Sequence, residues 1–173
     1  GHMSNVLKES FRLVKSSDIY DYGYGEVCDY LKSRNYQDKY DWVITNPPFK
    51  NALEFTEKSI NISKKGVAIL ARTVFLESKT RYETLFKNNP PTFFAQFVER
   101  VPMVKGRLDA KASTATGYAW FVWIKDYSEN SKLIWIPPCR KLLEKDQDYK
   151  NPLKKNMPKS NKFVQDSLPL EDF

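Results

Sequence analysis

Apolar and polar positions follow two rhythms along this chain, one close to a helical period and one alternating. From Ser4 to Phe11 the spacing predicts a short helix with Ser4 as N-cap and Val6 and Leu7 turned inward. Phe11 to Ser16 alternates as a strand does and stops at Ser17-Asp18. Asp21-Tyr22-Gly23-Tyr24-Gly25 signals a loop, a short element follows at Val27 to Leu31, and polar residues run on through Lys39. The clearest segment is Tyr40-Asp41-Trp42-Val43-Ile44-Thr45, a β-branched and aromatic run that ends abruptly at Asn46-Pro47-Pro48. It predicts a buried strand followed by a rigid turn. A helix is expected over Asn51 to Ser63, with Ala52, Phe55, Ser59 and Ile62 on one stripe. Val67 to Ala71 reads as a strand, Ser78 to Lys87 as a helix broken by Pro90-Pro91, and Thr92 to Val98 as another strand. After a loop of small and polar residues, Val101 to Gly117, the run Tyr118 to Ile124 is strongly strand-like. Ser131 to Ile136 is expected to pair with it as a hairpin across Asp126 to Asn130.

Strands alternating with helices and closing on a pair of strands predict an α/β fold, with a mainly parallel sheet and an antiparallel edge. In open sheets of this kind ligands bind beyond the carboxyl ends of the strands, and Asp18 and Asn46 both fall at such ends. From Pro137 onward the periodicity is lost among prolines and lysines. The expected division is therefore a folded domain over 1–138 and a basic, Pro/Lys-rich tail over 139–173, extended or disordered.

Composition narrows the chemistry. The 173 residues are one domain's worth, and 14% aromatics offset a modest 41% hydrophobic share. The single histidine, His2, builds neither a catalytic triad nor a zinc site. Cys28 and Cys139 lie far apart without metal-type spacing, which predicts free thiols in a reducing, cytoplasmic setting. No apolar run approaches the roughly 20 residues a bilayer requires, and no secretory leader is visible. The formal charge of +7 suits a polyanionic partner. Residues 140–162 alone carry eight Lys/Arg against three acids, a pattern that fits a solvated tail as well as a phosphate-binding arm.

Asn46-Pro47-Pro48-Phe49, set directly after a hydrophobic strand, resembles the signature of S-adenosyl-L-methionine-dependent methyltransferases that act on planar amino or amide nitrogens, most typically the DNA adenine-N6 enzymes. Other segments fit in the family's order. Ser17-Asp18-Ile19 resembles the acidic strand end whose carboxylate binds the cofactor's ribose, and Cys28-Asp29-Tyr30-Leu31 the acidic position facing its adenine. Phe97 through Pro102, Lys105-Gly106-Arg107 and Ala119 through Trp123 resemble late segments of phage-type adenine methyltransferases. The resemblance covers about residues 1–138. It implies a Rossmann-like methyltransferase fold, catalytic residues Asn46, Pro47, Pro48 and Phe49, and cofactor contacts from Asp18, Ile19, Asp29 and Tyr30. The family's first motif, a strand with a glycine-rich turn, should precede all of this. Gly1-His2-Met3 fits both a scar of cloning and the end of that turn, in which case Gly1 also touches the cofactor. Under either reading the first strand and most of the glycine loop are expected to be absent, and self-association, a shifted strand or an open groove to compensate.

The motif has a physical rationale of its own. An exocyclic amino group is a weak nucleophile because its lone pair is delocalised into the ring. Accepting both of its N–H bonds, one at the Asn46 side-chain oxygen and one at the Pro47 carbonyl, returns density to nitrogen. The prolines fix the turn, and Phe49 offers a flat face to a base rotated out of its stack. Lys105 and Arg107 offer cations to phosphates, though a solvated loop accounts for them equally well. Tyr20, Tyr22 and Tyr24 suit either stacking or a simple tyrosine-rich loop. Three functions remain in play: methylation of adenine N6 in DNA, methylation of an RNA base or a protein glutamine, and non-catalytic nucleic-acid binding by a remnant of such an enzyme.

Overall fold

The computed structural model describes residues 1–34, 40–103 and 111–145. Its elements are helix α1 (His2–Leu7), strands β1 (Ser17–Asp18), β2 (Glu26–Val27) and β3 (Tyr40–Thr45), helix α2 (Ala52–Ile62) and strand β4 (Ser63–Arg72). They continue with the short helix α3 (Lys79–Arg81), which runs into a π-helical turn at Tyr82–Phe86, and with strands β5 (Phe93–Phe97), β6 (Tyr118–Ile124) and β7 (Lys132–Ile136). A last helical turn, α4, spans Arg140–Leu143. The fold is mixed α/β. Five strands form one sheet in the order β3-β4-β6-β5-β7, and β1 and β2 make a separate parallel pair.

The core lies where β4 and β6 run side by side. Their antiparallel register sets Val67 against Trp123, Ile69 against Phe121 and Ala71 against Ala119, and all six are buried. Ala52 of α2, Phe75 and Leu85 close over this face, with Phe94 of β5 packed beside it. The alternation of β6 follows from this one-sided cover: Phe121 and Trp123 are buried while Trp120, Val122 and Ile124 remain half-buried. On α2 the buried positions are Ala52, Thr56, Ser59 and Ile62. The two polar ones are satisfied locally, Thr56 Oγ1 donating to the Ala52 carbonyl at 2.7 Å and Ser59 Oγ to that of Phe55 at 2.6 Å.

A packing test arises at Gly66, where β3, β4 and β6 meet. A Cβ there would stand 2.5 Å from the Trp42 ring and 2.6 Å from the Trp123 carbonyl oxygen. The second neighbour is backbone held in the sheet and cannot turn aside. Gly66→Ala is therefore expected to destabilise the chain by about 1–3 kcal/mol, read as a lowered urea midpoint in tryptophan fluorescence. A loss below about 0.5 kcal/mol, the range of ordinary surface substitutions, would contradict this close approach.

Several expectations are corrected. The antiparallel part of the sheet is not at an edge: β3, β4, β5 and β7 run the same way, and the reversed strand β6 sits inside, so that two pairings are parallel and two antiparallel. The β6–β7 hairpin does not form, because β4 and β5 already occupy both edges of β6, leaving β7 the far edge of β5. The Tyr40–Thr45 strand forms with the expected bounds, but it is the half-buried edge strand of the sheet rather than a buried one. Phe11 to Ser16 forms no strand; its last carbonyl, that of Ser16, accepts the Glu26 N–H just before the short β1–β2 pair begins, and Leu13 is 83% exposed. Helix α1 begins earlier than expected, with Gly1 rather than Ser4 as its N-cap. Ser4 lies inside the helix, its hydroxyl accepting from that of Ser16, and Val6 faces solvent. Within the expected tail, Glu99 receives the Cys139 and Arg140 N–H groups at 2.7 and 2.9 Å and caps α4. Residues 146–173 lie outside the described residues. Among the described residues no helix is long and apolar enough to cross a membrane.

Candidate functional site

The carboxyl end of β3 is shaped by two prolines with different tasks. Pro47, which has no N–H to continue a ladder, is buried and anchors the turn, while Asn46, Pro48 and Phe49 are exposed. The Pro48 carbonyl is taken by the Asn51 N–H at 3.0 Å, opening a short 3₁₀ turn over Phe49–Asn51 that leads into α2. Among the described residues, the Asn46 amide makes no hydrogen bond and the Pro47 carbonyl accepts none from backbone. The turn thus leaves uncommitted the two acceptors that an amino group would need.

The second strand end is built around a glycine. Gly25 holds φ at +79°, and a Cβ there would lie 2.6 Å from the Ser16 carbonyl oxygen, so only glycine lets this turn close. That closure lets the Glu26 N–H reach the Ser16 carbonyl at 2.9 Å, and the Cys28 N–H reaches that of Asp18 at 2.8 Å. Asp18 is thereby fixed at the end of β1. One of its oxygens accepts the Tyr20 N–H at 3.0 Å, and no ion pair among the described residues engages the carboxylate. Burial first, then the negative charge of Asp18 and the neighbouring Tyr20, hold the Tyr22 phenol above its ordinary pKa. Tyr22 therefore remains a donor throughout the neutral range.

Between the two strand ends lies a cavity of about 390 Å³, within the usual size range of small-ligand sites. Asp18, Tyr22, Tyr30, Tyr40, Trp42 and Asn46 line it, together with Gly1. Consecutive residues Trp42 through Thr45 all line it although alternate strand residues face opposite ways, so the cavity wraps the outer edge of β3. Of the residues expected to bind a cofactor, Gly1, Asp18 and Tyr30 share this cavity with Asn46, whereas Ile19 and Asp29 do not line it. Ile19 is 56% exposed. Asp29 is engaged in holding its own turn, accepting the Leu31 N–H at 3.1 Å and the Lys32 N–H at 3.3 Å and pairing with the Lys32 ammonium at 3.4 Å.

Tyr30 owes its place to α2. Its ring stacks on Phe55 with centroids 4.9 Å apart, and its hydroxyl meets Ser59 Oγ at 2.8 Å. Lys58 donates to the carbonyls of Tyr30, Leu31 and Ser33, clasping the whole turn onto the helix. Nothing in the sequence singles out Lys58, because its acceptors are main-chain groups that any residue provides.

Phe49 stands outside the cavity, on the far side of Asn46 in the chain. The Arg72 guanidinium carbon lies 3.9 Å from its ring centroid and the Tyr118 ring 6.2 Å away. Sequence reading missed Arg72, although it ends β4 as Asn46 follows β3, and the same strand-end rule would have found it. Lys105 and Arg107 lie outside the described residues. Comparisons with protein-family models, with curated proteins and with solved structures found no match for this chain.

Proposed function

We propose that this chain is a methyltransferase that moves a methyl group from S-adenosylmethionine to an exocyclic amino nitrogen, adenine N6 in DNA being the favoured acceptor. One observation carries the reading: Asp18 and Asn46, remote in sequence, line one cavity of cofactor size. The residues there suit the cofactor chemically. Asp18 keeps a carboxylate oxygen for ribose hydroxyls, Tyr22 adds a phenolic donor, and Tyr30, Tyr40 and Trp42 give flat apolar walls. S-adenosylmethionine, when bound, supplies an electrophilic methyl group.

The chain's own part is positioning. The Asn46 amide oxygen and the Pro47 carbonyl accept the two amino hydrogens and draw the nitrogen toward tetrahedral geometry as it attacks. Buried Pro47 keeps that carbonyl from swinging. No side chain has to remove a proton beforehand, because the nitrogen's acidity rises once the methyl is attached and water suffices.

The first test is calorimetric titration of the full chain with S-adenosylhomocysteine. Micromolar binding is expected, weakened at least about tenfold by Asp18→Ala through loss of charge-assisted hydrogen bonds. Binding by the parent chain that Asp18→Ala leaves unchanged would move the cofactor elsewhere, and no binding by the parent chain would remove the proposal's basis.

A further inference from the structure

Arg72 is placed where a substrate should be. Its guanidinium lies over the Phe49 ring at 3.9 Å, the stacking distance of a planar group, and it makes no ion pair among the described residues. Its side chain is exposed at the end of β4, so nothing encloses it there. A second guanidinium reaches the segment that pairs with the residue after Arg72. Thr73, the next residue, donates its N–H to the Gly117 carbonyl at 3.0 Å, and Arg100 Nη1 is 3.6 Å from where a Gly117 Cβ would stand. Arg100 is tethered only by a bond from Nη1 to the Ala115 carbonyl at 2.7 Å, leaving its other donors free among the described residues.

We propose that Arg72 is a displaceable placeholder: a planar base takes over the Phe49 face, and the released guanidinium, with Arg100, binds the phosphate carried by that base. This rests on the methyltransferase reading and deepens it by assigning the residues that would hold the phosphate carried by the acceptor base. The exchange is favourable on physical grounds. A solvent-exposed cation–π contact is weak, whereas an aromatic face stacks a nucleobase strongly and without regard to its identity. The guanidinium, once moved, gains a doubly hydrogen-bonded anion in place of a ring. A glutamine side chain would supply neither a wide π-face to displace the guanidinium nor an anion to receive it.

Adenosine and adenosine 5′-monophosphate separate the two halves of the idea, since they share the base and differ in the phosphate. Both are titrated into the full chain and into Arg72→Ala and Arg72→Gln at low salt, with far-UV circular dichroism recorded for each variant. The parent chain is expected to prefer the monophosphate by about tenfold or more, the scale of one charge-assisted bidentate pair. In both variants that preference collapses toward unity while adenosine binds as well as before or better, because the ring face has been vacated. An unchanged preference in folded variants would overturn the proposal, as would equal weakening of both ligands or no binding of either to the parent chain. The S-adenosylhomocysteine titration is read separately: its success beside a failed phosphate preference rejects the placeholder and leaves the cofactor site standing. The reverse pattern keeps the nucleotide seat and removes the methyltransferase reading.

Discussion

Asn46→Ala is expected to lower methyl transfer to adenine-containing DNA by about 100- to 1000-fold, the usual cost of deleting one hydrogen-bond partner aimed at developing charge. The affinity for S-adenosylhomocysteine should stay within about twofold, since the loss falls on the transition state rather than on cofactor binding. The substitution is unusually clean. Asn46 is exposed and its amide makes no hydrogen bond among the described residues, so the fold gives up almost nothing when it is removed. Stability within about 0.5 kcal/mol of the parent chain is the corresponding expectation. Asn46→Asp refines the experiment, because a carboxylate still accepts an N–H. It should retain more activity than the alanine variant, with its charge near the electrophilic methyl as a complication in rate but not in geometry. The readout is transfer of labelled methyl to an oligonucleotide, alongside the calorimetric titration. Activity within about threefold of the parent chain in Asn46→Ala would exclude the amide from the chemistry, whatever the cofactor does.

How much of this was legible beforehand differs from element to element, for physical reasons. Strand β3 was read with its bounds because a proline lacking an N–H follows it, and β6 because Gly117 and Lys125-Asp126 bracket a continuous apolar run. Which strands would be neighbours was not readable. A period of two says which face a residue occupies, but it says nothing about the backbone on either side, so β6 passed for half of a hairpin when it lies between β4 and β5. Phe11 to Ser16 has strand periodicity but joins no ladder, and its apolar residues line the cavity instead. At the site, Asp18 and Asn46 were found because a strand end marks where ligands collect. Asp29 looked equivalent in sequence, yet its carboxylate is consumed by the turn it occupies. Lys58 was invisible, since it acts through carbonyls that the sequence pattern does not place near it, whereas Arg72 sits at a strand end that marks it but acts through a ring the pattern does not place beside it.

Phe121→Ala should produce the opposite profile to Asn46→Ala. Phe121 has no exposed surface, faces Ile69 across one strand pair and Phe94 across the other, and meets Phe75 and Phe94 edge-on at 5.2 and 5.1 Å. Its ring is thus the point at which β4, β5, β6 and the segment after β4 share one contact. Truncation removes the buried surface and leaves a cavity among the packed side chains of the core, Phe75 and Phe94 included, which can relax into it only in part. A loss of about 3–5 kcal/mol follows, a large part of the 5–15 kcal/mol that a domain of this size commonly has. Urea unfolding followed by circular dichroism reads it directly. Phe121→Leu keeps most of the volume and should lose less, about 1.5 kcal/mol or somewhat more for the missing ring edges. Loss of β6 also releases Tyr118 and, through its pairing partner, Arg72, so the Phe49 seat should fail together with the fold. The folded fraction of Phe121→Leu is therefore expected to bind adenosine 5′-monophosphate with parental affinity, and the apparent weakening to follow the unfolded fraction alone. Weakened binding in fully folded Phe121→Leu would mean that the sheet transmits strain to its carboxyl ends rather than merely carrying them. A loss below about 1 kcal/mol in Phe121→Ala would mean that the β4–β6 face is not the core.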